Sequence, residues 1–138
     1  MAVAMASGDV FVAHVLPVTA GANLAGKSLI TVGGAAVTTA AAACFGVIAK
    51  DTKSGDVANV KIAPSIVEVI ATGTVTAGAM VEALQGTVYA NIDGTSTSTT
   101  SCGVQDLAAG YPVGKALTSS DVYGTVLVAL ICNQVKSA

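Results

Sequence analysis

Apolar positions along this chain come in short runs broken by glycine, threonine and serine, and in places they alternate with polar residues. Glu68 stands between Val67 and Val69, and Glu82 between Val81 and Leu84, so both glutamates are expected on the solvent faces of half-buried strands. Val57, Val60 and Ile62 keep a looser alternation. The Ala-rich run at residues 40–43 has helical propensity, but Thr38 and Thr39 before it and Gly46 after it leave room for one short helix at most. The pattern predicts an all-β fold, a compact antiparallel β-barrel or sandwich.

The strands come in two related sets. Residues 10–22 and 67–79 lie 57 positions apart (67 − 10) and agree at Val10/Val67, Val12/Val69 and throughout Val-Thr-Ala-Gly-Ala. After this match the first half offers residues 28–32, the pair Gly33-Gly34 and residues 35–39 as strand, tight turn and strand. The second half offers residues 80–84, Gln85-Gly86 and residues 87–92 in the same roles. A glycine-led strand follows in each, at residues 46–49 and 114–117. Closing strands then run from Asp56-Val57 to Val60 and Ile62, and from Asp121-Val122 to Val126 and Val128. The expected organisation is an N-terminal arm, residues 1–9, and a single β domain, residues 10–138, duplicated at about 10–62 and 67–132. The Ser/Thr-rich stretch at 93–101 has no counterpart in the first half and is expected to be an exposed, mobile loop. The halves match in strand and turn residues while their reactive side chains differ, which favours a binding or structural role.

Composition narrows this further. A chain of 138 residues is one domain, able to remove roughly 68–70% of its unfolded surface from water. It is 53% hydrophobic but only 4% aromatic, with no Trp, so its core must form by close approach of small side chains. Charged residues make up 10%, against roughly 25% in ordinary soluble domains, and some of the apolar excess is expected to meet a partner. The longest low-charge stretch, residues 35–49, is too short and too weakly apolar to cross a membrane. No Lys or Arg precedes Lys27, so the basic start of a secretory signal is missing. The chain has no Arg, and six Lys against eight acidic residues supply no concentrated cationic footprint for nucleic acid. Cys44, Cys102 and Cys132 are odd in number and widely spaced, fitting neither a disulfide framework nor a zinc site; they read as small buried hydrophobes.

Candidate chemistry is thin. Gly21-Ala-Asn-Leu-Ala-Gly26-Lys27-Ser28 satisfies the phosphate-loop pattern, in which backbone N–H groups cradle phosphates while Lys and Ser reach the terminal phosphates and magnesium. That loop must open a helix, however, and residues 29–32, three of them β-branched, run into Gly33-Gly34 instead. His14 has no sequence-local nucleophile or orienting carboxylate and reads as a buried or edge-strand residue. Asp9, Asp51, Asp56, Asp93, Asp106 and Asp121 mostly adjoin Gly, Ser or Thr and read as turn caps. Residues 51–56 lack the alternating ligands and terminal Glu of a calcium loop. No catalytic, cofactor-binding or metal-binding residue is expected.

An Ala/Val/Gly/Thr-rich, arginine-free β chain with a Val-Thr-Ala-Gly turn, a glycine hairpin, a Gly-Val-Ile-Ala strand and a closing Asp-Val-x-x-Val-x-Ile strand resembles the capsid cement, or head decoration, proteins of tailed bacteriophages. The resemblance covers about residues 10–131. It implies a β-clip or tulip-like fold, no enzymatic activity and no cofactor. It also implies a homotrimer on the outer surface of the virion, made in the host cytoplasm, whose partner is the major capsid protein and which touches neither nucleic acid nor membrane directly. Tyr89, Tyr111 and Tyr123 are the only tyrosines, the chain having no Trp or Arg, to anchor such contacts. The arm residues Met1, Ala2, Val3, Ala4, Met5, Ala6 and Ser7 are expected to lie along a capsid or neighbouring subunit as an added strand. The competing reading is a β-clip-like module holding a carbohydrate or peptide, which the scarcity of aromatic side chains disfavours.

Overall fold

The computed structural model describes residues 14–132. The expected arm and the first positions of the sequence match, residues 10–13, lie outside the described residues. The described residues form nine strands: β1 (His14–Thr19), β2 (Leu29–Ile30), β3 (Gly46–Ile48), β4 (Val57–Ile62), β5 (Ile66–Ile70), β6 (Met80–Ile92), β7 (Thr95–Asp106), β8 (Gly114–Ala116) and β9 (Thr125–Leu130). They form two antiparallel sheets, ordered β1-β4-β3-β2 and β5-β9-β8-β6-β7. The all-β antiparallel expectation holds, and no described residue is helical. In place of the helix, residues 39–42 form a turn closed by the Ala42 N–H on Thr39 O at 3.3 Å, with Ala41 at φ 61°.

The two sheets repeat one hydrogen-bond scheme. The pair Leu16↔Val60 reappears as Val67↔Val128, Leu29↔Val47 as Met80↔Lys115, and Val47↔Lys61 as Lys115↔Ala129. The isolated bridge Leu24↔Thr52 reappears as Val75↔Ser120. Structural equivalents are therefore 51 positions apart (75 − 24) before the hairpin and 68 apart (120 − 52) after it. The identity at a spacing of 57 does not follow the backbone. Val18 and Thr19 lie in β1, whereas Val75 and Thr76 lie in the turn region before β6. Likewise Val60 corresponds to Val128 and Ile62 to Leu130, so the closing strands match two residues later than their sequence suggests.

Gly46 and Gly114 show why the glycine-led strands recur. A Cβ on Gly46 would come within 2.4 Å of the Lys61 carbonyl oxygen, and one on Gly114 within 2.2 Å of the Ala129 oxygen. At both positions the strand lies so close to its neighbour that only glycine fits.

The units differ chiefly in one hairpin. In the first, Ile30 bridges Ala36 across a turn through Gly33-Gly34. In the second, Val81 pairs with Asp106 and the two strands run out to Ile92↔Thr95. Two sequence expectations fail here. Gln85-Gly86 is not a turn but the middle of β6, where Gly86 admits the Thr72 methyl, 2.8 Å from any added Cβ. The Ser/Thr stretch is not a loop but β7, reversed at Asp93-Gly94, whose φ values of 52° and 78° suit the type I′ turn that twists with its strands.

Alternation then places the core. Val67 and Val69 point inward with Val126, Val128, Val81 and Val104, while Glu68 faces out. Leu29 and Val47 join this core from the first sheet, whereas their neighbours Ile30 and Ile48 pack on the opposite side with Leu24, Ala58 and Val60. Strands β2 and β3 are thus buried on both faces. Each fully buried Val or Leu here is worth about 1.5–3 kcal/mol relative to exposure. A third, smaller cluster forms where Val88 and Ala90 of the long hairpin pack on Ala25.

Candidate functional site

The phosphate-loop pattern folds as a tight turn, not a phosphate cradle. Lys27 occupies the left-handed region at φ 63°, the place taken by Gly78 at φ 88° in the second unit. The N–H groups that would face phosphate are already used: Leu24 donates to Thr52 O at 2.8 Å, Gly26 to Asp51 Oδ1 at 2.7 Å and Lys27 to Ile48 O at 2.7 Å. The Ser28 hydroxyl is fully buried and donates to Ala25 O at 2.6 Å. Gly26 is needed because a Cβ there would stand 2.8 Å from Lys50 Cα. Lys27 Nζ lies 3.4 Å from the Glu68 carboxylate, a solvated pair of little energetic weight. The cleft lined by Lys27, Lys61 and Glu68 measures about 170 Å³, below the roughly 300 Å³ at which ligand pockets begin.

The remaining chemical candidates are dispersed among structural tasks. His14 opens the edge strand β1, exposed, its N–H bonded to the Ser65 hydroxyl at 2.8 Å. Asp51 accepts from Gly26 and, at 2.8 Å, from the Asn91 N–H, fastening the first unit to the long hairpin. Asp106 caps Thr76 through both its N–H and its hydroxyl at 2.9 Å. Asp93 stands in the I′ turn and pairs with Lys53 at 2.9 Å. Asp51 and Asp106 act on backbone, but on distant segments and not on their own turns, while Asp93 pairs with a side chain. Among the described residues no three His, Cys, Asp or Glu side chains gather as a metal ligand set.

Glu82 departs from expectation. Its side chain is buried, not solvent-facing, and accepts hydrogen bonds from the N–H groups of Ala108 (2.8 Å), Ala109 (3.2 Å) and Gly110 (3.0 Å) and from Gln105 (3.2 Å). Burial pushes its acidity down, but these four donors outweigh it and hold the carboxyl below its ordinary pKa. The arrangement fixes the loop that returns from β7 to β8.

Cys44 and Cys102 are buried as expected, and burial raises the Cys102 thiol to about 11. Cys132 is half-buried, and its Sγ lies 3.2 Å from that of Cys44 although 88 residues separate them in sequence.

What remains for recognition is apolar surface. Tyr89 and Tyr123, 65% and 56% exposed, border a cleft of about 300 Å³ completed by Ile70, Thr87 and Val88. Tyr89 is aimed outward by the alternation of β6, between inward Val88 and Ala90. Tyr123 is held out by its left-handed turn, φ 67°, in the position of Gly55 in the first unit. Val122, 49% exposed, lies beside it. A second patch is the outer strand β1, where Val15 and Leu16 are exposed and Pro17, lacking an N–H, occupies an edge position that proline tolerates. Sequence reasoning singled out the two tyrosines only by type. The expected contact residues 1–7 lie outside the described residues.

No family model matches this chain, and no curated protein matches it. Among solved structures, the head fiber gp8.5 N base in bacteriophage phi29 is similar, with a TM-score of 0.54 and 18% identity, covering 90% of this chain and 98% of that one. At that identity the likeness is one of fold, and it extends through both β units.

Proposed function

We propose that this chain is a structural protein of a bacteriophage head, a decoration or cement subunit that binds the outer surface of the icosahedral shell and steadies contacts between capsid subunits. The observation that carries this reading is the likeness in fold, over nearly the whole of both chains, to the phi29 head fiber N base. The internal geometry supports it. The carboxylates of Asp51, Asp106 and Glu82 are engaged with backbone N–H groups, while Tyr89, Tyr123, Val122, Val15 and Leu16 present apolar area to solvent. Partially exposed tyrosines suit a protein interface, since a rigid amphipathic ring contributes contact area at low entropic cost.

The proposal includes a homotrimer whose partner is the major capsid protein. Three modest contacts made together reach effective concentrations near millimolar, so avidity rises roughly 10²–10⁴-fold without any strong individual anchor. Enzymatic activity and cofactors form no part of this role. The test is co-sedimentation of the purified chain with shells assembled from the major capsid protein of the same virus. Saturable binding at a fixed ratio of chain to capsid subunit is expected, and recovery of all the protein in the supernatant would overturn the reading. A carbohydrate- or peptide-binding module is the second reading, favoured specifically by the tyrosine-bordered cleft; saturable binding in a glycan screen that Tyr89→Ala abolishes would support it.

A further inference from the structure

We infer that Cys44 and Cys132 are a disulfide-forming pair, a covalent clasp that ties the loop entering β3 to the end of β9. The sulfurs are already in contact at 3.2 Å and need close by only about 1 Å to reach bonding distance. Both ends are held by backbone. Phe45, next to Cys44, donates its N–H to Ile30 O at 2.8 Å, and the N–H groups of Ile131 and Cys132 both bond to Val113 O, at 2.8 and 2.9 Å. The site lies at the margin of the main core, with Cys44 inside it and Cys132 packed against it.

The two thiols have unequal roles. The contact with Cys132, followed by burial, raises the pKa of Cys44, whereas the same contact lowers that of Cys132. Cys132 is the more accessible sulfur, and with its thiolate favoured by the contact it is the attacking nucleophile. With a small disulfide such as oxidised glutathione as oxidant, the Cys132 thiolate attacks one glutathione sulfur, forming a mixed disulfide and releasing one glutathione thiolate. Cys44, losing its proton, then attacks Cys132 Sγ and releases the second. Two protein thiols are oxidised to one disulfide, and one glutathione disulfide is reduced to two glutathione molecules that take up the two protons. Cys102 belongs to the same core cluster and is felt electrostatically by Cys44, but it is fully buried with its thiol donating to Thr39 O at 3.5 Å. This inference does not rest on the proposed function.

Cleavage after lysine separates the three cysteines, because Lys50, Lys61 and Lys115 fall between them. The reduced full chain is incubated with oxidised glutathione, quenched in acid, unfolded, alkylated and digested. The expected result is a linked pair of peptides, 28–50 with 116–136, an alkylated Cys102, and a melting temperature raised by roughly 10 °C, since cross-linking a loop of this length constrains the unfolded chain strongly. The rise should vanish in Cys44→Ser and in Cys132→Ser and persist in Cys102→Ser. Alkylation of both Cys44 and Cys132 after oxidation, or glutathione retained on Cys132 with no linked peptides, would overturn the inference, and this mapping on the unaltered chain decides it even where a variant folds poorly.

Discussion

The Gly26 N–H donates to the Asp51 carboxylate at 2.7 Å, and at the equivalent place in the second unit the Ala77 N–H donates to the Ser119 hydroxyl at 2.8 Å. Neither residue pair is alike in identity, yet the bond is the same: a side chain leaving the third strand of the unit caps the turn that precedes the second. Asp51 does more than Ser119, because its other oxygen takes the Asn91 N–H.

Asp51→Ala should therefore destabilise the protein by about 1–3 kcal/mol, since two backbone donors lose their acceptor, and Ser119→Ala by about 1 kcal/mol or less. Urea unfolding of both variants measures the difference. Equal effects would show that the bond to Asn91 carries no weight.

Glu82 makes the stability of the protein depend on pH in a defined direction. Its folded pKa is depressed, so its contribution is fully present above the unfolded value of about 4.3 and is lost as pH falls through the lower folded value. Glu82→Gln should cost about 2–3 kcal/mol at pH 7 by weakening the bonds to residues 108–110. The gap between variant and unaltered protein should narrow as pH falls below the unfolded value and through the lower folded one, as followed by denaturant titration at each pH.

Gly46→Ala and Gly114→Ala should each cost about 3 kcal/mol or more, because a methyl group at either position meets a neighbouring carbonyl oxygen. Gly55, at φ 89° but with open space around it, should lose only about 1 kcal/mol on change to Ala. Thermal unfolding of the three variants tests this ranking.

Much of the architecture was legible in the sequence. The alternation about Glu68, the glycine-led strands β3 and β8 and the closing strands β4 and β9 follow from local residue patterns, whereas residues 35–39 keep only the bridge at Ala36 instead of the expected strand. The alignment of the two units was not legible from residue identity. Val-Thr-Ala-Gly-Ala serves a strand end in one place and a turn in the other, while true equivalents such as Lys27 and Gly78, or Gly55 and Tyr123, share only a positive φ. Backbone hydrogen bonds, which every residue except proline can donate, preserve the scheme where side chains diverge.

The Ser/Thr stretch forms a strand because the β propensity of Thr and the hairpin turn Asp93-Gly94 prevail over its hydroxyl-rich composition. Glu82 and the Cys44–Cys132 contact were beyond local pattern altogether. Their partners lie 23–28 and 88 residues away, and only the fold brings them together.

On the functional side, Tyr89→Ala and Tyr123→Ala should unfold within about 1 kcal/mol of the unaltered chain, since both rings are largely exposed. Each should weaken attachment to shells by about tenfold or more if the tyrosine cleft is an anchor. Sedimentation binding curves alongside melting curves separate the two effects.

Imaging of virus particles assembled with and without this chain by electron cryomicroscopy tests the central claim most directly. The account predicts added density on the outer shell, with three copies around threefold positions, each matching the two-unit β fold. Particles that are identical with and without the chain, or density confined to the interior, would contradict it.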